Sequence, residues 1–240
     1  MAIPILRKPR FAFVYVLALL PVFAARTTDA GLHWGAIIVL IGELIRLWAN
    51  GYVGHVKVNR TEQQRGDAKI GRLITAGPYA FVRHPLYFGT FLIGVGLCVI
   101  VGRWWFGLLA LACFLVLYRR KMAEEEQRIL NEWPHEYAAY RRHVSQWLPL
   151  RSRYADRTGQ WSWQGIAASK EWKTVIWTAV VVIALYLRAQ IVQEHHWHLP
   201  MGDRAALRWL YVMLALMATD GMIELIVRRS AKRTRAGATA

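Results

Sequence analysis

The apolar residues of this chain arrive in blocks, each about as long as a helix needs to cross a hydrocarbon core, and basic residues separate the blocks. A spanning helix takes roughly 17–25 residues. The blocks fall at 11–25, 32–50, 86–101, 104–118, 172–187 and 205–227. Hydrophobic residues make up 55% of the 240 positions, too many for a soluble domain carrying this much charge. The chain therefore reads as all-α, a polytopic membrane helical bundle of about six transmembrane helices. Only Gly102-Arg103 separates the third block from the fourth, which predicts a tight helical hairpin. One span of about thirty residues would need strong tilt instead.

The net charge of +16 invites a nucleic-acid reading, and the placement of the charge argues against one. Arg7, Lys8 and Arg10 precede the first block. Lys57, Arg60, Arg65, Lys69, Arg72 and Arg83 follow the second, and Arg119, Arg120 and Lys121 follow the fourth. Arg228, Arg229, Lys232, Arg233 and Arg235 follow the sixth, while the intervening loops hold few. This alternation fits the positive-inside rule with both termini cytoplasmic. The expected setting is a bacterial inner membrane, with membrane lipids as partners and no nucleic acid. The first block lacks an Ala-x-Ala cleavage pattern and is followed by Arg26, so it reads as a retained span. Cys98 and Cys113 both fall in the hairpin and read as packing residues, and no metal site is expected.

Four regions follow. Residues 1–50 carry two N-terminal helices. Residues 51–150 form a core of loop, hairpin and cytoplasmic cap, with a helical extension beyond the fourth span that Pro134 interrupts. Residues 151–171 read as an interfacial linker containing Trp161 and Trp163. Residues 172–240 hold two C-terminal helices and a basic tail; they either close a tunnel or supply a homodimer surface.

Two polar clusters flank the hairpin. The first is Gly77-Pro78-Tyr79-Ala80-Phe81-Val82-Arg83-His84-Pro85-Leu86-Tyr87-Phe88-Gly89. Pro85 disfavours an α conformation at His84, so His84 should sit at a bend just before a helix. Proline also suits the first turn of that helix. Its first N–H groups suit a carboxylate, Arg83 adds a fixed cation, and the faces of Tyr79 and Tyr87 attract a sulfonium or quaternary ammonium group. The second cluster is Lys121, Glu124, Glu125 and Glu126. Lys121 and Glu125 are i, i+4 neighbours on one helix face, and the hairpin returns that face to His84. A group bearing both signs of charge suits a zwitterionic ligand.

The first motif, the glutamate pair in Glu125-Glu126-Gln127-Arg128-Ile129, and the later Trp133, Tyr137, Tyr140 and Trp147-Leu148-Pro149 resemble the isoprenylcysteine carboxyl methyltransferase family, which groups with the phospholipid methyltransferases. The resemblance runs from about Gln64 to Pro149. It implies an integral membrane methyltransferase that uses S-adenosyl-L-methionine, yields S-adenosyl-L-homocysteine, and acts on a lipophilic acceptor at the cytoplasmic face. It implies cofactor contacts at Gln64, Gly71, Ile74, Tyr79, His84, Pro85, Leu86, Tyr87 and Glu125. His84, Glu125, Lys121 and Arg83 become the candidate catalytic residues, and Lys121 and Glu126 the candidate acceptor contacts. Lys121 stands where the family has an arginine, Gly71 where a eukaryotic member has a polar residue, and Pro134 where a glycine is usual. Lysine keeps the charge and loses the bidentate fork, which leaves the acceptor open between an isoprenylcysteine-like carboxylate and a lipid headgroup.

Two other classes fit the same blocks: an NADPH-dependent sterol or isoprenoid reductase, and a non-catalytic lipid-binding membrane protein. Intramembrane charges need partners. Glu43 and Arg46 are expected to pair with each other, with orientation of the acceptor as the alternative; Asp220 and Glu224 ask for a partner, with Arg188 and Arg208 as candidates near the opposite surface. The His195-His196-Trp197-His198 tract reads as a solvated external loop.

Overall fold

A computed structural model of the chain describes residues 20–21, 23–53, 73–149, 153–194 and 204–237. The described residues form seven α-helices and no strand; one isolated parallel bridge joins Val82 to Ser145. The helices are α1 (Asp29–Val53), α2 (Pro85–Val101), α3 (Trp104–Glu132), α4 (Pro134–His143), α5 (Trp163–Ser169), α6 (Glu171–Ala189) and α7 (Arg204–Gly237). A 3-10 turn, Gly77–Ala80, precedes α2, and a π turn, Gln190–Glu194, follows α6.

Three stretches are long and apolar enough to cross a bilayer unaided: Asp29–Val53, Glu171–Val192 and Arg204–Ile226. Helix α2 has 17 residues, the low end of a span. Helix α3 is apolar through Tyr118 and charged beyond it. Most of the 11–25 block lies outside the described residues, as do Gln64, Gly71 and the 195–198 histidine tract. An integral membrane protein is thus supported, while the described residues reach three spans by length and composition rather than six.

The chain divides into two compact units, Thr28–Trp172 and a second made of Met1–Thr27 with Lys173–Ala240. In the first, α1 and α2 make the most extensive contact, and glycine explains it. Gly35 and Gly42 lie seven positions apart on α1 (35 to 42), as do Gly89 and Gly96 on α2 (89 to 96). A Cβ on Gly42 would stand 2.7 Å from the Gly89 carbonyl oxygen, and one on Gly35 would stand 2.6 Å from that of Gly96. The two helices touch through their backbones at both places, antiparallel. Such close approach lets dispersion hold helices together where lipid leaves no hydrophobic drive between them.

The hairpin forms where it was expected. Gly102 ends α2 in the left-handed region, with φ 66°, and its N–H donates to the carbonyls of Cys98 and Val99. Proline at position 134 separates α3 from α4, whose Tyr137 and Tyr140 join Val144 in a buried cluster with Leu73, Ile129, Leu130, Trp133 and Tyr154 packed around it.

The second unit pairs α6 with α7 around Ile183, Leu187 and Ala206. Lys173 Nζ lies 2.5 Å from Glu224 Oε2 and 3.9 Å from Asp220 Oδ1, and the Trp177 indole N–H donates to Asp220 Oδ2 at 3.1 Å. The expected partner Arg188 instead donates to the main-chain carbonyls of Ala25 and Phe23. Lys173 stands on α6 facing these carboxylates, whereas the sequence had suggested arginines at the other end of the helices.

Candidate functional site

The site is built at the end of the hairpin away from Gly102. Gly77 opens the 3-10 turn with φ 61°, and a Cβ there would strike the Tyr52 ring, so the turn requires glycine twice over. His84 is the N-cap of α2 with φ −125° and ψ 61°, at a bend as expected, and Pro85 takes the first helical position, where its missing N–H costs nothing. Helix α2 then carries Leu86 and Tyr87 on its first turn, whose N–H groups have no partners inside the helix.

Glu125 and Glu126 face different neighbours because consecutive helical residues point about 100° apart. Glu125 Oε2 accepts from the Tyr87 hydroxyl at 2.8 Å. The Glu126 carboxylate is buried: Oε1 is bonded to His84 Nε2 at 2.9 Å and accepts from Gln146 Nε2 at 3.2 Å, with Arg83 Nη2 at 3.4 Å. Arg141 Nε lies 3.8 Å from Oε2. Burial alone would raise the pKa of this carboxyl. The hydrogen bond to His84 and the charges of Arg83, His84 and Arg141 outweigh it and hold Glu126 below the usual carboxylate range. Gln146 and the bridge between Val82 and Ser145 tie the residues after α4 to this network, and the Arg83 N–H donates to the Ser145 carbonyl at 2.9 Å.

Tyr79 sits on the 3-10 turn, and the Glu125 charge reaches its hydroxyl. Burial first, then the nearby Glu125 carboxylate, lifts its hydroxyl well above the ordinary phenol range, so it stays a neutral donor. The Tyr140 hydroxyl donates to the Tyr79 carbonyl at 2.7 Å, which fixes the turn from behind. Lys121 is exposed, with Nζ 5.5 Å from the Tyr87 ring centre and 6.0 Å from that of Tyr118.

Of the residues singled out from the sequence, Tyr79, Arg83, His84, Pro85, Leu86, Tyr87, Lys121, Glu125 and Glu126 come together here. Ile74 lies against Gly159, on the approach to the turn. Gln64 and Gly71 lie outside the described residues.

Sequence reasoning missed the wall that joins this polar cluster to the membrane. Tyr87 meets Tyr118 at 5.2 Å between ring centres, Tyr118 stacks on Phe114 at 4.5 Å, and Phe114 meets Phe91 at 5.3 Å, with Trp147 covering both phenylalanines. Beyond Phe91 and Phe114 a groove of about 510 Å³ runs between α2 and α3, past Gly94, Cys98 and Gly107, to Gly102 and Trp104 at the hairpin tip. The signal was present in the aromatic residues of the two blocks, four or fewer positions apart on each helix. Arg46 was also misassigned. It does pair within the bundle, but with Glu171, at 2.6 Å.

The arrangement is that of an integral membrane helical protein with a polar site joined to an apolar groove. Residues 31–132 match the phospholipid methyltransferase family. Protein-S-isoprenylcysteine O-methyltransferases of Rattus norvegicus and Homo sapiens are each 28% identical over 116 residues, covering 48% of this chain and 40% of each relative. The Schizosaccharomyces pombe protein of the same name is 31% identical over 78 residues, covering 32% of this chain and 33% of its own length. By its 31–132 region the chain is similar to the phospholipid methyltransferase family and to these isoprenylcysteine O-methyltransferases. The match spans about two fifths of the length of the mammalian relatives. No solved structure matches it significantly. The reductase reading gains no support from these relatives.

Proposed function

We propose that the protein is an integral membrane methyltransferase that takes S-adenosyl-L-methionine at the Tyr79, Tyr87 and Glu125 cluster and a lipophilic acceptor from the α2–α3 groove. The observation that carries this reading is the shared wall: Tyr87 bonds Glu125 on one side and begins the aromatic row to the groove on the other.

The residues present suit the donor. Two tyrosine faces and the Glu125 carboxylate favour a cationic group, and the first turn of α2 favours a carboxylate. His84, Glu126 and Arg83 hold one another one layer behind and set the bend from which α2 starts. When bound, S-adenosyl-L-methionine supplies an electrophilic methyl that passes to the acceptor by in-line displacement, leaving S-adenosyl-L-homocysteine. The protein contributes alignment and exclusion of water, the terms that count most for a displacement. Trp147, Phe91 and Phe114 close the groove side, so the acceptor's reactive end meets the cluster with its chain in apolar surroundings. Lys121 steers an anionic headgroup. An acceptor amine would have to lose a proton first, and Glu125 is the carboxylate placed to take it, with His84 behind. The site faces the cytoplasm and the full chain makes six spans in this reading, with membrane lipid as its environment and source of acceptor.

The test is direct. Purified protein is titrated with S-adenosyl-L-homocysteine while Trp fluorescence is followed. Label transfer from S-adenosyl-L-methionine to membrane lipid extract then identifies the acceptor. Saturable binding and a labelled lipid are expected; a flat titration sinks the reading.

A further inference from the structure

The segment that follows the matched region grips the motif from two sides. Residues 153–162 run along the loop leading into the 3-10 turn. The Thr75 and Ala76 N–H groups both donate to the Thr158 carbonyl, at 3.0 and 3.2 Å, and the Tyr154 N–H donates to the Ala80 carbonyl at 3.0 Å. The Thr75 hydroxyl donates to the Asp156 carbonyl at 2.8 Å and accepts from the Thr158 N–H at 2.9 Å. The chain then crosses to α1, where the Ser162 N–H donates to the Gly51 carbonyl at 2.9 Å and α5 packs along the helix.

It ends at Glu171, which is 2% exposed. Arg46 of α1 places Nε and Nη2 each 2.6 Å from Glu171 Oε1. Its third nitrogen, Nη1, donates to Thr90 Oγ1 at 2.5 Å and to the Leu86 carbonyl at 3.3 Å. Both acceptors lie in the opening turns of α2, the helix whose start carries His84 and Tyr87. The guanidinium is therefore engaged on every edge by protein, and its aliphatic stem lies against Gly89. Its charge still reaches the Tyr79 hydroxyl and counters part of the upward push there.

We propose that Arg46 and Glu171 are positioning residues for the methyl-donor pocket, closing a clamp whose other jaw is the 153–162 backbone against residues 75–80. The idea rests on the methyl-donor reading for its ligand, and the clamp itself can be tested without one. A largely buried guanidinium tolerates the apolar bundle because Glu171 neutralises it. Without that charge, Arg46 must seek water or a new partner, and its bonds to Leu86 and Thr90 move with it. A displacement of about 1 Å at reacting groups costs as much as 100-fold. The clamp also explains why the compact unit runs to Trp172, forty residues beyond the matched region (132 to 172).

Glu171→Gln, Arg46→Gln and the double variant are made in the full chain and compared in detergent at a temperature where all are folded. Hydrogen exchange at 75–90 is read without ligand, and S-adenosyl-L-homocysteine affinity by Trp fluorescence. Each single variant should speed exchange across 75–90 and weaken binding about tenfold, the double being no worse than the worse single because one pair is broken in all three. Wild-type exchange and affinity within twofold in the single variants overturn the clamp. So does a lowered melting temperature with both readouts unchanged, which marks a merely stabilising pair. If the unaltered protein fails to bind S-adenosyl-L-homocysteine, the methyl-donor reading falls and the exchange data alone decide the clamp. Should Glu171→Gln not fold, Thr75→Val at the other jaw is measured in the same way. Faster exchange at 75–90 supports the clamp, and unchanged exchange overturns it.

Discussion

Helix α2 packs against α1 and α3 and meets them in opposite ways. Towards α1 it presents Gly89 and Gly96, and the two backbones touch. Towards α3 it presents Phe91, Gly94, Val95 and Cys98, and a groove of about 510 Å³ remains. Both seams join antiparallel apolar helices, so hydrophobicity does not separate them. Side-chain size and partner shape do. Reciprocal glycines at matched heights zip one seam shut. On the other, Gly94 faces open space, since a Cβ there would find no atom within 4 Å, while the bulky Phe91 and Phe114 hold the helices apart at the polar end. The closed seam is the scaffold, and the open one leaves the room that the proposed acceptor needs.

The largest effect should come from forcing the closed seam. Gly42→Leu puts its Cβ 2.7 Å from a carbonyl oxygen and 2.9 Å from Ile93, with no flexible atom to yield on the backbone side. Overpacking of this kind costs about 3 kcal/mol or more, and the variant should lose its monodisperse peak and its cooperative melt in detergent. A normal melt would show that the seam is not close-packed.

Glu125→Ala comes next. It strips the Tyr87 hydroxyl of its acceptor and the site of its accessible carboxylate, and among the described residues that is the one hydrogen bond Glu125 makes. Hydrogen bonds involving a charge are worth about 1.5–3 kcal/mol, so S-adenosyl-L-homocysteine binding should weaken roughly 10–100-fold with the melting temperature little changed. Unaltered binding would move the ligand away from this end of the groove.

The same enlargement that breaks the closed seam should be harmless to the fold in the open one. A Cβ at Gly94 meets nothing within 4 Å, so Gly94→Leu should leave stability within about 0.5 kcal/mol. The new side chain fills groove instead, and transfer to a long-chain acceptor should fall about tenfold while S-adenosyl-L-homocysteine affinity is kept. Normal transfer would show that the acceptor chain lies elsewhere.

The smallest effect concerns pH. The folded state holds Glu126 below the usual carboxylate range, so the network's contribution is complete above the unfolded value of about 4.3 and is lost as pH falls through the lower folded value. The melting temperature should drop with acid in that window, and Glu126→Gln should flatten the drop. A wild-type slope in Glu126→Gln would assign the acid sensitivity to another group.

Much of this was legible in the chain itself. Block lengths and the Gly102-Arg103 break place the hairpin, because a helix can end there only on a residue that tolerates the left-handed region. His84-Pro85 fixes the bend, since proline restricts the residue before it. Adjacent glutamates on one helix had to face different ways. The seven-residue glycine spacing was equally visible and would have located the α1–α2 seam. Two partnerships were not visible. Arg46 finds Glu171 across 125 positions, and Lys173 rather than an arginine takes Asp220 and Glu224. Three arginines and lysines within reach look alike in a sequence, and only the packing of helices selects among them.

The sequence by itself determined that this chain is helical, that it belongs in a membrane, and where its polar motif stands, because hydrophobic block length and proline or glycine geometry are local properties. Tertiary structure alone decided which seam closes and which stays open, and which charge neutralises which. Those outcomes depend on side chains that meet only when distant helices are already side by side.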